Sequence, residues 1–320
     1  IMFNILLLFV SILYFSSADA SKAYITNEKD NTLSVIDIDK RKVIKTVDIG
    51  QRPRGITMTN DGKLVLICAS DDDRVEVRDA ETLKLKYHLP SGPDPELFVL
   101  SPDDSILYIA NEDDAMVTVV DMNERMIIDD IPVGVEPEGM GLTNNGAVLV
   151  NTSETTNMAH FIDTETLNIV ENVLVDARPR VAMFTPNDEE VWVSSEIGGT
   201  VKVINPNSKA VTHTIGFEIP GVNEESIQPV GVKHTNDGKY TFVALGPANR
   251  VAVIDQKTKE IIKYLLVGQR VWQLAFSNDQ KTLLSTNGVS NDVSFINVEK
   301  LKVEKSVKVG RFPWGVVISP

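Results

Sequence analysis

The chain has 320 residues, a formal net charge of −14, 42% apolar and 6% aromatic residues. That length holds one large domain or two ordinary ones, and the ordinary apolar content excludes wholesale disorder. A single cysteine, Cys68, excludes an intramolecular disulfide framework or a cysteine-rich metal centre, and the acidic balance argues against a general nucleic-acid binder, which needs Lys and Arg to neutralise phosphates.

In chain order, the first element is a leader. Residues Met2 to Ala20 read MFNILLLFVSILYFSSADA, with an uncharged apolar run from Ile5 to Phe15 broken only by Ser11. The run has the length of a signal-peptide core and is short for a membrane span, and Ala18-Asp19-Ala20 is a small-x-small cleavage site. The expectation is a leader over residues 1–20, cleaved near Ala20, although its n-region lacks Lys and Arg; an uncleaved anchor is the alternative. No later segment is long and apolar enough to span a bilayer, so a periplasmic or secreted protein without a stable membrane span is expected.

The remaining residues, 21–320, repeat. A short apolar run closed by Asp or Asn recurs at Asp37, Asp79, Asp121, Asp163, Asn205, Asp255 and Asn297. The spacing is 42 residues except for one step of 50, between Asn205 and Asp255. Turn signals keep the same period, among them Asn60-Asp61-Gly62, Asn144-Asn145-Gly146 and Asn236-Asp237-Gly238. So does a proline before a strand, at Pro53, Pro95, Pro137, Pro179, Pro229 and Pro313, with Val271 in the missing slot. Each repeat reads as four short strands joined by hairpin turns, for example Ile56–Thr59, Leu64–Ala69, Val75–Arg78 and Leu83–Leu89. The third strand alternates around the whole chain. Val35, Val77, Val119, Phe161, Val203, Val253 and Phe295 form an apolar column, and the preceding residues, Ser34 to Ser294, are mostly polar.

Four strands in a repeat of roughly 40–45 residues make one propeller blade. The repeat begins at a second strand (Lys22 to Thr26) and finishes at a first strand (Gly315 to Ile318). The two ends therefore share one blade and close the ring, which removes open sheet edges. The predicted fold is all-β, a single seven-bladed β-propeller with four antiparallel strands per blade and no amphipathic helix after the leader.

Several segments carry a family resemblance. Tyr24-Ile25-Thr26-Asn27 and Tyr108-Ile109-Ala110-Asn111 resemble the Tyr-Val-Thr-Asn signature of the YVTN-type bacterial propeller repeats, a WD40/YVTN repeat-like pattern. Val133-Gly134-Val135-Glu136-Pro137-Glu138-Gly139 and Ser101-Pro102-Asp103-Asp104 resemble other parts of that repeat. Leu245 and Ala69 depart from it where it has Asn. The seven-blade layout behind a leader looks like the propeller proteins associated with catabolism that depends on pyrroloquinoline quinone (PQQ). That resemblance implies a periplasmic setting beside quinoprotein alcohol dehydrogenases and cytochromes. It brings no catalytic motif, so no site residue is carried over.

Candidate binding residues come from comparing the copies. Positions flanking the repeat proline differ between blades, so blade geometry alone does not dictate them. They are Arg52/Arg54, Asp94/Glu96, Glu136/Glu138, Arg178/Arg180, Gln228/Val230, Arg270/Trp272 and Phe312/Trp314. With the loops Asp71-Asp72-Asp73 and Glu112-Asp113-Asp114 they predict a polarised mouth. Its arginines would clamp a carboxylate or phosphate bidentately, and Trp272 and Trp314 would stack on a ring or a partner. The competing reading is solvated loops whose charges pair across neighbouring blades. The acidic sector offers the donors of a hard cation such as calcium, but no loop has a calcium-loop spacing. Neither a resident metal nor a cofactor follows from these residues.

His234 replaces an apolar residue in its column and, with Lys233, is a possible channel residue. His160 is expected to make an inter-blade polar contact, His88 and His213 to be surface residues, and Cys68 to be a small buried hydrophobe. No Gly-x-Ser-x-Gly, His-Glu-x-x-His or phosphate-cradling motif is present.

Three functions are compatible with this pattern. The first is a non-enzymatic binding or scaffold module for a periplasmic redox or transport system. It would dock a partner with a basic rim, such as a c-type cytochrome, a quinoprotein dehydrogenase or a transporter component. The second is a lactonase-like hydrolase, which requires His234 and the arginines at the same end of the channel. The third is a small-ligand or quinone carrier using Trp272, Trp314 and the arginines.

Overall fold

The computed structural model describes residues 21–320, and the leader expected over residues 1–20 lies outside them. The described residues form seven four-stranded antiparallel sheets in a ring, the seven-bladed propeller the repeat predicts. Blade 1 joins the chain ends: Pro313–Ile318 is its inner strand, followed outward by Lys22–Asn27, Thr32–Asp37 and Lys42–Asp48. The inner strands of blades 2 to 7 are Pro53–Met58, Pro95–Leu100, Pro137–Leu142, Pro179–Phe184, Val232–His234 and Val271–Phe276. In every blade but the sixth, strand 1 therefore begins at the proline or its replacement rather than three residues later; in blade 6 it begins at Val232, three residues after Pro229. Proline is tolerated at the first residue of a strand, where its missing N–H breaks no ladder bond. The closing register pairs Ala23 with Ile318 and Ile25 with Val316. It is tied off by the Lys22 N–H on Ser319 Oγ (2.9 Å) and the Ser319 N–H on the Lys22 carbonyl (2.8 Å).

Both faces of each blade are covered by its neighbours, so both columns of the third strand are buried. Val35, Val77, Phe161 and Phe295 pack in separate apolar clusters between blades. On the other face Ser34, Thr118 and Ser294 are wholly buried, and this requires hydrogen-bond partners. The Asn of the repeat signature supplies them. Asn27 Nδ2 donates to Ser34 (2.9 Å), Asn111 Nδ2 to Thr118 (2.7 Å) and Asn287 Nδ2 to Ser294 (2.9 Å). His160 sits in the same column and bonds Ser153 and Asn172 of its own blade and the Gly134 N–H. Gly134 lies in the link from blade 3 to blade 4, so His160 ties its own blade to that link. His88 and His213 are exposed and Cys68 is buried. The eight-residue excess folds over blade 5, with Ile219 and Ile227 packed against Trp192 and Val243 and a single 3-10 turn at Glu224–Ser226. No helix among the described residues is long and apolar enough to cross a membrane.

Candidate functional site

The inner strands run parallel to the channel from one mouth, marked by the prolines, to the other, marked by the Asn-Asp-Gly turns. The residue before the proline takes a left-handed conformation in six blades: Arg52, Asp94, Glu136, Arg178, Arg270 and Phe312 have φ between 47° and 58°. Such backbone costs roughly 1 kcal/mol outside glycine and persists only where surrounding structure enforces it. Enforcement comes from the residue 21 positions earlier. Asn31 Oδ1 accepts the Arg52 N–H, Asn157 Oδ1 that of Arg178, Asn249 Oδ1 that of Arg270 and Asn291 Oδ1 that of Phe312, at 2.8 to 3.1 Å. Asp73 Oδ1 holds the Asp94 N–H at 3.0 Å.

The residue after the proline is fixed by the preceding blade. The second-strand hydroxyls of Thr26, Ser194 and Thr286 donate to the carbonyls of Arg54, Val230 and Trp314 at 2.6 to 2.9 Å. Seven side chains, one per blade, thereby meet around the axis: Arg54, Glu96, Glu138, Arg180, Val230, Trp272 and Trp314. Val230, Trp272 and Trp314 form an apolar arc, covered by Phe312 and by Leu97, which stands where blades 1, 2, 4 and 6 have glycine. Glycine is required at Gly139, because a Cβ there would lie 2.3 Å from the Arg180 carbonyl oxygen.

The remaining arc is charged and paired. Arg52 bonds Asp71 (2.6 Å), Glu96 (3.1 Å) and Asp94. Arg54 faces Glu96 at 3.5 Å and Glu28 at 3.8 Å. Arg180 is held by Glu138 (2.9 Å), Glu154 and Glu196 (3.7 Å), and Arg178 by Glu154 (2.8 Å) and Glu196 (3.3 Å). Arg270 bonds Glu196 at 3.1 Å. The guanidinium groups also cover the indoles, Arg54 over Trp314 at 5.2 Å and Arg270 over Trp272 at 4.5 Å. The structure thus brings together every proline-flanking residue singled out in the sequence except Gln228, which turns back to the Glu225 carbonyl. The arginines are engaged by the protein's own carboxylates, and both indoles are buried, Trp314 completely.

Three of the glutamates doing this pairing, Glu28, Glu154 and Glu196, escaped the sequence reading. They occupy one column with Glu112, directly after the second strand, where other blades have Ser70, Gly246 and Gly288. Comparing copies at that column would have found them.

Carboxylates exceed cations where blades 3 and 4 meet. Carboxylate oxygens of Asp94, Glu96 and Glu112 lie within 4.8 Å of one another, as do those of Glu112, Glu136 and Glu154. Among the described residues Glu112 makes no ion pair, and the Glu136 carboxylate accepts only the Thr155 hydroxyl. These five side chains are the ones that could hold a hard cation. Burial, reinforced by the charges of Glu96 and Asp94, pushes Glu112 up to about 7. Burial and Glu96 push Asp94 up to about 6. Burial likewise raises Glu138 and Glu154 against the pull of Arg180.

A pH dependence follows. Asp94 and Glu112 hold protons more tightly folded than unfolded, so their stabilisation is complete below about pH 4 and is lost as the pH rises through 7. Both are partly exposed, and after allowance for screening the fall is about 1–2 kcal/mol. Urea midpoints of wild type and Glu112→Gln should therefore be compared from pH 4 to pH 8: the wild type should lose stability relative to the variant as the pH rises, while buried His234, lowered to about 4, shifts both proteins the other way and cancels in the difference; a difference that stays constant across that range would contradict the assignment. Asp61 and Asp103 act in a separate window. The Lys63 backbone N–H and the Ser101 hydroxyl, respectively, hold them at about 2, so they oppose unfolding until the pH falls below 4.

His234 and Lys233 lie at the other mouth, four and three residues further along the inner strand than Val230, roughly 10–13 Å at strand rise. His234 is buried with both ring nitrogens engaged. Nδ1 accepts the Thr241 hydroxyl at 2.8 Å and Nε2 faces the Met183 carbonyl at 3.4 Å. Burial lowers it to about 4, so it is neutral at neutral pH.

Fold and mouth together define a seven-bladed propeller with an acidic recess beside a charge-paired axial ring. No protein-family model matches the chain, and no curated protein matches it. Solved structures do. Hydrazine synthase of Kuenenia stuttgartiensis superposes with a TM-score of 0.78 at 19% identity, covering 86% of this chain and 92% of that one. A Bacteroides uniformis protein named as a candidate 6-phosphogluconolactonase has a TM-score of 0.79 at 15% identity, covering 94% and 100%. The dihydro-heme d1 dehydrogenase NirN has a TM-score of 0.68 at 14% identity, covering 94% and 66%. At these identities the likeness is one of fold.

Proposed function

We propose that this chain is an exported, non-enzymatic binding propeller whose acidic recess docks a cationic group on a partner protein. One observation carries the reading: Glu112 and Glu136 stand together at the mouth without a cation, while each neighbouring arginine is already neutralised. Crowded carboxylates are relieved by a proton or by an incoming positive charge, so a Lys- or Arg-rimmed surface gains affinity there. The partner of that chemistry suggested by the resemblance to the PQQ-associated propellers is a c-type cytochrome or quinoprotein dehydrogenase in the periplasm. Transporter components with a basic rim fit the same recess.

The lactonase-like reading draws on fold likeness to the candidate phosphogluconolactonase. Against it stand the separation of His234 from the arginines by the length of the inner strand and the engagement of both ring nitrogens. The carrier reading is disfavoured by the burial of Trp272 and Trp314.

The test is titration of the full chain with a cationic c-type cytochrome as probe at low ionic strength. Wild type should bind with an affinity that falls steeply with salt, and the Glu112→Gln/Glu136→Gln double variant should bind about tenfold more weakly. Equal affinity for both proteins would overturn the docking role of the recess.

A further inference from the structure

The channel end opposite the acidic recess holds a second, unrelated feature. Fourth after the proline on each inner strand, the channel-facing column reads Thr57, Val99, Gly141, Met183, Lys233, Ala275 and Val317. Six of these are uncharged; Lys233 is the exception. It lines a cavity of about 490 Å³ whose other walls are Val99, Met140, Gly141, Leu142, Met183, Phe184 and His234, with Asn144, Thr185, Pro186 and Asn236 toward the mouth. That volume lies within the range of small-molecule sites, and the wall combines apolar side chains with Lys233, His234 and polar groups toward the mouth.

Among the described residues the lysine amine meets no hydrogen-bond or ion-pair partner, and the cavity wall carries no carboxylate. Lys233 is partly buried; Arg180 and Lys259, buried and partly buried in turn, each meet a glutamate, at 2.9 Å and 2.6 Å. Burial lowers the Lys233 pKa with no opposing charge to restore it. His234 beside it is held neutral by its burial and adds no charge. A lone ammonium on an apolar wall, in a chain with 45 acidic and 31 basic residues, lacks its counter-ion within the protein.

We propose that this end of the channel binds a small apolar monocarboxylate, with the Lys233 ammonium pairing its carboxylate and Met140, Leu142, Met183 and Phe184 enclosing its hydrocarbon body. Two flexible thioethers in the wall suit chains of varied shape. The site is independent of the acidic recess at the other mouth.

The test is calorimetric titration of the full chain with hexanoate, hexan-1-ol and hexylamine, which share a body and differ in charge. Hexanoate should bind saturably and at least tenfold more tightly than hexanol, and hexylamine should not bind. Lys233→Met should abolish the preference for hexanoate while hexanol still binds, which shows the pocket intact, and Lys233→Gln should behave alike. Glu112→Gln should leave hexanoate binding unchanged. Equal binding of hexanoate and hexanol, no binding of hexanoate, or a preference that survives in both Lys233 variants would each overturn the proposal.

Discussion

A chain ended at Phe312 should lose its cooperative thermal transition and aggregate. Removal of Pro313–Pro320 takes away the inner strand of blade 1, and with it Trp314, which is wholly buried, and Val316 and Ile318 from the cluster between blades 1 and 7. Truncating one buried tryptophan typically costs about 3–5 kcal/mol, and the deletion adds two buried aliphatic side chains and the whole ladder to Lys22–Asn27. Against a total stability of roughly 5–15 kcal/mol for an ordinary protein, the loss is close to complete. It also exposes an unpaired edge at Lys22–Asn27 and another wherever the ring opens, which templates association. Scanning calorimetry and light scattering of the shortened chain check this. A midpoint within about 2 °C of the full chain would show that the terminal strand does not close the ring energetically.

The second large effect concerns the axial ring. Arg180→Met should destabilise by about 3–5 kcal/mol at neutral pH, the range for removing one partner of a buried ion pair. Arg180 is nearly inaccessible and faces Glu138, Glu154 and Glu196. Its loss leaves three carboxylates with little water, with Arg54, Arg178 and Arg270 as the remaining cations nearby. Adding Glu138→Gln to the variant should recover part of the loss, because the glutamine carries no charge into the ring. The defect should also shrink at pH 5, since burial already favours the protonated forms of Glu138 and Glu154. Chemical denaturation of the single and double variants at pH 5 and pH 7 measures all three quantities. Additive effects of the two substitutions would mean that Arg180 and Glu138 do not act as a pair.

Much of this architecture is readable residue by residue. The 42-residue period of the closing Asp or Asn, the marching proline and the complementary end strands together specify seven blades and how they close. The proline-flanking column was legible as a set of non-repeating residues, and the structure gathers it at one mouth. Individual roles were less legible. Val230 and the Arg–Glu ring are neighbours around an axis, so contacts such as Arg54–Glu96, Arg180–Glu138 and Arg270–Glu196 join residues of different blades that are far apart along the chain. Glu154 and Glu196 reach the ring from the ends of second strands, a column whose Ser and Gly members in other blades disguise it. The polar third-strand column was legible as alternation, but alternation alone does not reveal that a propeller covers both faces of each sheet. Ser34, Thr118 and Ser294 are polar there because Asn27, Asn111 and Asn287 need a partner.

By itself, then, the sequence determines the number of blades, their strand order and which positions are free to vary. Periodicity and turn chemistry are local signals that survive without coordinates. Only the tertiary structure decides how charges pair across blades. It assigns the arginines to the protein's own glutamates, buries Trp272 and Trp314, leaves Glu112 and Glu136 without a cation and separates Lys233 from any acid. The physical reason is that Coulomb energy and desolvation depend on distance and burial, and in a closed ring both are set by which residues converge on the axis rather than by their separation along the chain.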